Sequence, residues 1–199
     1  GGGSALFGSS AIAGTINIIT KEPRTNSGSL AHTFTNINGA GAFDNNTTMN
    51  LSLVSADNRA GAYVYGQNRI RSAWDANGDG FTELSKMKNQ MVGMNAYYKI
   101  GTYSKFGLEY HHIEEFRRGG NSLDLPPHIA ENPELNGMGE PGLVEQTRHS
   151  INTGGIKFQT NSPNQKHFMN LYASAQHVDR ESYYSAYGRT KNLTAVAGG

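Results

Sequence analysis

The 199-residue sequence contains no cysteine. That excludes a disulfide scaffold and a thiolate metal centre, and it suits an oxidising compartment, where a stray thiol is a liability. No unbroken apolar run reaches the roughly 18 residues that a membrane-spanning helix needs. The first residues show neither a basic start nor an apolar core, so no secretory leader is legible. Hydrophobic residues make up only 36% of the chain, below the roughly 45–50% usual for globular proteins with glycine counted. The net charge of +1 gives no electrostatic case for a nucleic-acid surface, and no nucleic-acid partner is expected. A helical 3.6-residue period is sustained nowhere.

What the chain does have is period-two alternation. Met49, Leu51 and Leu53 alternate with Asn50 and Ser52, and Val92, Met94, Ala96, Tyr98 and Ile100 alternate with Gly93, Asn95 and Lys99. Phe106, Leu108 and Tyr110 alternate with Gly107, Glu109 and His111, and Met169, Leu171, Ala173 and Ala175 with Asn170, Ser174 and Gln176. Such alternation predicts half-buried strands, here over 27–37, 45–54, 59–68, 88–100, 103–115, 147–160 and 165–178, with an eighth beginning near 191. These runs exceed the roughly 5–6 residues of a common globular strand and match the roughly 9–11 that cross a bilayer at a tilt. Tyr63, Tyr65, Tyr97, Tyr98, Tyr103 and Tyr110 fall toward strand ends, where interfacial girdles sit, although tyrosine is also common in ordinary strands.

The links sharpen the prediction. Those after the second, fourth and sixth strands are short, while Arg69–Met87, Phe116–Gln146 and Asp179–Thr190 are longer. In an up-and-down meander this places the long links at one end, the pattern of outer-membrane barrels. The expected fold is therefore all-β, an antiparallel up-and-down portion of a transmembrane β-barrel with seven or eight long strands.

In front of the first strand stands GGGSALFGSSAIAGTINIITKEP. Gly8 and Gly14 permit turns and close backbone approach, Ile16–Thr20 is strand-like, and Pro23 ends the strand because it cannot donate to a ladder. The spacings of a phosphate-binding loop are absent, and a strand rather than a helix follows. The stretch resembles the end of the plug domain of TonB-dependent outer-membrane receptors, with Ser4, Leu6, Gly8, Ser9, Ala11, Gly14, Asn17, Ile18, Ile19, Thr20 and Lys21 matching and Phe7, Ala13 and Thr15 departing mildly. The match covers about 20 residues at the start of the chain. Beyond it the likeness is one of pattern, in the loop-rich style of receptors from gut Bacteroidetes.

The resemblance implies that residues 1–24 are the end of a plug and 25–199 the N-terminal part of a plugged barrel of about 22 strands. It implies a fragment of a longer protein, placed in the Gram-negative outer membrane with its long loops outside. Its partners would be membrane lipid, a TonB complex acting through a segment upstream, a large scarce nutrient of the ferric siderophore, haem or vitamin B12 class, and a surface lipoprotein.

Two clusters carry candidate chemistry. Asp75, Asn77 and Asp79, followed by Gly80, place oxygens at positions 1, 3 and 5 and glycine at 6, as in the first half of a calcium loop. Glu83 can add an oxygen, but Lys86 stands where the closing glutamate belongs, so the motif predicts a calcium-ordered surface loop or an ion-free Asx-rich turn. Arg117 and Arg118, with Arg148 and His149 across the next link, are candidates to meet an anionic ligand. His111 and His112 are adjacent on a strand, hence on opposite faces, and cannot chelate together. The Pro-rich 123–142 stretch is long enough to be a functional loop. No nucleophile–base–orienter set is legible, and an enzyme is not expected. Two other readings stand beside the receptor: a small complete outer-membrane barrel with an adhesive role, and a secreted calcium-binding β-domain that binds glycans.

Overall fold

The computed structural model describes residues 22–39, 41–185 and 188–198. The plug-like residues Ser4 to Lys21 lie outside them. The described chain forms one antiparallel sheet in sequence order. Its strands are β1 (Ser27–Ile37), β2 (Ala42–Val54), β3 (Ala60–Arg71), β4 (Lys86–Ile100), β5 (Ser104–Gly120), β6 (Val144–Asn161), β7 (Phe168–Tyr184) and β8 (Gly188–Gly198). A four-residue helix α1 (Pro127–Ala130) sits in the β5–β6 connection. β1 and β8 are the two edges, and the sheet is not closed.

β1 matches its predicted span, and most of the other strands are longer than the alternation predicts. β5 runs 17 residues and β6 runs 18. β7 and β8 are separated by only three residues, 185–187, and not by the long link expected from Asp179 onward. The reason is physical. Asp179, Arg180, Glu181 and Ser182 are polar whichever way they point, so no alternation marks them, yet their backbones pair with residues 147–150 of β6. A ladder needs paired amides, not apolar side chains. Of the connections at that rim, 72–85 and 121–143 are long and 38–41 is short, while the opposite rim holds only short turns.

The register divides all side chains between two faces. One is predominantly polar. Thr48, Asn50 and Ser52 of β2 stand beside Tyr63, Tyr65 and Gln67 of β3, then Gly93 and Asn95 of β4, Glu109 and His111 of β5, Thr153 and Gly155 of β6, and Ser174 and Gln176 of β7. A short apolar stripe, Met91, Ile113, Ile151 and Val178, crosses it at one row.

The other face is banded. Next to the short turns the rows are apolar, apart from the hydrogen-bonded Ser104 and Thr160 in the last one. Leu53, Ala62, Ala96, Leu108, Ile156 and Ala173 lie level, and Tyr98, Phe106, Phe158 and Leu171 lie level in the next row. No charged residue interrupts this band. Toward the long loops the same face turns polar. The row Leu30, Met49, Gly66 and Val92 is apolar across β1–β4, but on reaching β5–β7 it becomes His112, Asn152 and His177. The band's upper edge thus cuts across the strands obliquely, as it must if the strands tilt relative to an apolar layer. Of the tyrosines expected in a girdle, Tyr98 and Tyr110 lie on the banded face and Tyr103 in a turn, whereas Tyr63, Tyr65 and Tyr97 project from the polar face.

Almost nothing here forms a conventional core. Among the described residues the buried hydrophobic ones are Ala42, Met87, Ala130 and Val144. Band residues are open instead: Leu30 is 75% exposed, Leu171 57% and Tyr98 53%.

Candidate functional site

The rim that carries the long loops gathers most of the groups with chemistry. Connection 72–85 is held at its base by a bridge in which the Trp74 and Leu84 backbones exchange hydrogen bonds at 2.9 and 3.1 Å. Above it Asp75 Oδ1 and Oδ2 accept from the backbone N–H groups of Gly78 and Gly80 at 2.7 and 2.8 Å. Asn77 Oδ1 accepts from Asp79 N–H at 3.0 Å, Asp79 Oδ1 from Phe81 N–H at 2.8 Å, and Glu83 Oε2 from Ala76 N–H at 2.6 Å. Gly78 and Gly80 take φ of 76° and 88°, which a side chain would oppose. Oxygens of Asp75, Asp79 and Glu83 lie within 4.8 Å of one another. The three carboxylates of the predicted set therefore converge, and a hard cation such as calcium is the class that carboxylate oxygens at this spacing suit.

The predicted arginine set does not converge. Adjacent strand residues point to opposite faces, so Arg117 and His149 lie on the polar face and Arg118 and Arg148 on the banded face. Arg117 donates to Glu115 within its own strand at 2.8 Å, and His149 stands 4.0 Å from the same carboxylate. Arg118 is 2% exposed and donates to the carbonyls of Ser122 and Leu125, tying down connection 121–143. Burial draws its guanidinium below the ordinary arginine range. Arg148 lies over the Phe116 ring at 5.6 Å. Arg118 is thus a structural support, and Arg148 is held against the Phe116 ring.

Groups that no motif indicated also stand at this rim, beyond the apolar band. Asp44 takes a fork from Arg69 at 3.0 and 2.6 Å, and this hydrogen-bonded pair holds the carboxyl below its usual range. Glu115 is pushed up by burial, but hydrogen bonds from Arg117 and Asn89 outweigh that and leave it lowered. Under α1 a shallow cleft of about 520 Å³ is lined by His128, Glu131, Asn132, Pro133, Glu134 and Tyr183. The Tyr183 hydroxyl donates to Glu131, and that bond raises its pKa. Only the tertiary fold makes these groups neighbours: Glu131, in connection 121–143, and Tyr183 of β7 are 52 residues apart.

The opposite rim has a different occupant. Residues 22–26 run onto the polar face. Pro23 is buried, with its carbonyl accepting from Tyr97 Oη at 3.3 Å. Ser52 Oγ donates to the Thr25 carbonyl at 2.7 Å, Val54 N–H donates to Asn26 Oδ1 at 2.6 Å, and Lys105 pairs with Glu22. The Tyr97, Ser52 and Lys105 side chains all project from the polar face. The segment that leads into β1 therefore approaches from that side.

Comparison with known proteins finds no matching family model, curated protein or solved structure. Function must be argued from these surfaces.

Higher on the polar face, large residues cover small ones. The Tyr97 ring lies across Gly61 and the Tyr65 ring across Gly93, so closely that a Cβ at either glycine would collide. The Tyr65 hydroxyl meets His111 Nδ1, and Tyr63 Oη donates to Asn50 at 2.7 Å. Cross-strand rings laid over glycines stiffen a wall that has no core behind it.

Proposed function

We propose that the chain is part of the wall of a TonB-dependent outer-membrane receptor that takes up a large scarce nutrient, with the segment before β1 belonging to its plug. The observation that carries the membrane reading is the uncharged apolar band, confined to the turn-side part of one face of long strands and left exposed. Such a surface, contiguous over seven strands, is far beyond the scattered apolar residues of a soluble surface. An apolar layer on that side accounts for it, and the opposite polar face would then line a lumen.

The approach of residues 22–26 along the polar face supports the plug reading, since a plug fills the lumen side. The open edges at β1 and β8 favour a larger barrel over a complete eight-stranded one, because each edge in a membrane must find a partner. Connections 72–85 and 121–143 are the outer loops in this reading. Calcium is the ion proposed for Asp75, Asn77, Asp79 and Glu83. The nutrient's identity rests on the resemblance alone, with the ferric siderophore, haem and vitamin B12 classes leading.

Detergent dependence tests the reading. The 199-residue chain is expected to be monodisperse only in detergent or lipid, with strand-rich circular dichroism there. A monodisperse, folded species in plain buffer would favour the secreted glycan-binding alternative and sink the receptor.

A further inference from the structure

Above the apolar band the banded face carries cations at a defined height. On β4 the band ends at Val92, and the next positions on the same face are Gln90, Lys88 and Lys86. Lys86 and Lys88 are exposed, and neither forms an ion pair among the described residues. Lys88 stands directly opposite Phe116, and Phe116 opposite Arg148, whose guanidinium lies over that ring. Neighbouring strands are about 4.8 Å apart, so Lys88 and Arg148 flank Phe116 with backbones about 10 Å apart. At roughly 3.3 Å of rise per residue, Lys88 lies about 13 Å along the tilted strand from Val92. That height is the headgroup zone, which extends beyond a hydrocarbon core of about 30 Å.

The neighbouring acids are accounted for. Glu114 sits 3.5 Å from His112, and Glu181 is the register partner of Arg148. The turn-side edge of the same face offers no such row. Its strand lysines, Lys99, Lys105 and Lys157, project from the polar face, and Lys166 lies in the 162–167 turn.

We infer that Lys86 and Lys88, buttressed by Phe116 and Arg148, form a docking strip for the phosphate of an anionic lipid headgroup on the loop side of the membrane. The occupant follows from charge and position together. The strip is continuous with a surface that only an apolar layer can cover, and lysine stems can lie along that surface while the ammonium reaches the phosphate. This inference rests on the membrane reading above.

Native mass spectrometry of the full chain in neutral detergent tests it, with phosphatidylglycerol as probe and phosphatidylcholine as reference. Bound phosphatidylglycerol is expected to exceed phosphatidylcholine. The Lys86→Gln/Lys88→Gln double variant should weaken it by about fivefold per lysine, with circular dichroism unchanged. Lys99→Gln on the polar face should leave it intact, and Arg148→Gln should lower it independently. Equal binding of the two lipids, or retention in the double variant, overturns the inference. Inorganic phosphate competing as well as the lipid would point to a soluble anion and overturn it too. Folding without detergent is the separate failure of the membrane reading itself.

Discussion

Successive residues of β4 meet opposite requirements. Val92, Met94, Ala96, Tyr98 and Ile100 project from one face and Gly93, Asn95, Tyr97 and Lys99 from the other. Neither set is packed in a core, yet only the first is apolar without exception. A soluble sheet with one wet face buries its apolar side against another layer of the same chain. No such layer exists among the described residues, and in the proposed reading lipid supplies it. The polar side instead hydrogen-bonds to itself, through Tyr65 and His111, Tyr63 and Asn50, and Asp44 and Arg69. In the proposed reading one backbone serves two solvents, and the difference between its faces can be measured.

The sharpest way to break that contrast is a charge. Met94→Lys places an ammonium within the band and is expected to cost about 2–4 kcal/mol of stability in lipid vesicles. The neighbouring Asn95→Lys should cost well under half of that. Urea midpoints of the two variants, refolded into the same vesicles, compare them directly. Equal losses would mean that the faces do not see different media.

Glycines give the next largest effect. Gly93→Ala must displace the Tyr65 ring and should lose about 1–3 kcal/mol. Gly154→Ala, on the banded face, meets nothing nearer than 3.6 Å and should change little. Thermal melts in detergent separate them.

Asp44→Asn breaks the Arg69 fork. Arg69 is partly exposed, so the loss should be only about 0.5–1 kcal/mol. Because the folded carboxyl is lowered, its stabilisation is fully present above the unfolded pKa near 3.8 and disappears as pH falls through the lower folded value. Parent and variant stabilities should therefore converge in strong acid and differ at neutral pH. A difference that persists unchanged through the acid range would contradict the pairing.

The smallest global effect is expected in connection 72–85. Calcium titration by calorimetry should give saturable heat that disappears in Asp75→Ala/Asp79→Ala, with little change in the melting of the sheet. No heat from the parent protein would leave the loop as an ion-free turn.

Much of the wall was legible in the chain because side-chain period reports strand geometry wherever one face must be apolar. That held for β4 and the turn-side halves of β5 and β7. It failed above the band, where Asp179–Ser182 and Phe116–Gly120 are strand without alternation, because the backbone ladder continues where no apolar layer demands a pattern. The calcium-type cluster was legible because its ligands fall within nine residues of one loop. The arginine set was not, since its members' roles depend on which face each takes and on what folds over it.

The sequence alone determined that the chain is all-β, antiparallel and built of long strands, because alternation and link lengths are local properties. Only the tertiary structure decided which alternating sets fuse into one continuous band and that the band stops partway up the strands. It also decided that residues 22–26 approach from the polar side, that Arg118 is buried, and that Lys88 and Arg148 share a row. Those facts depend on inter-strand register, which is set by hydrogen bonds between residues far apart in the chain.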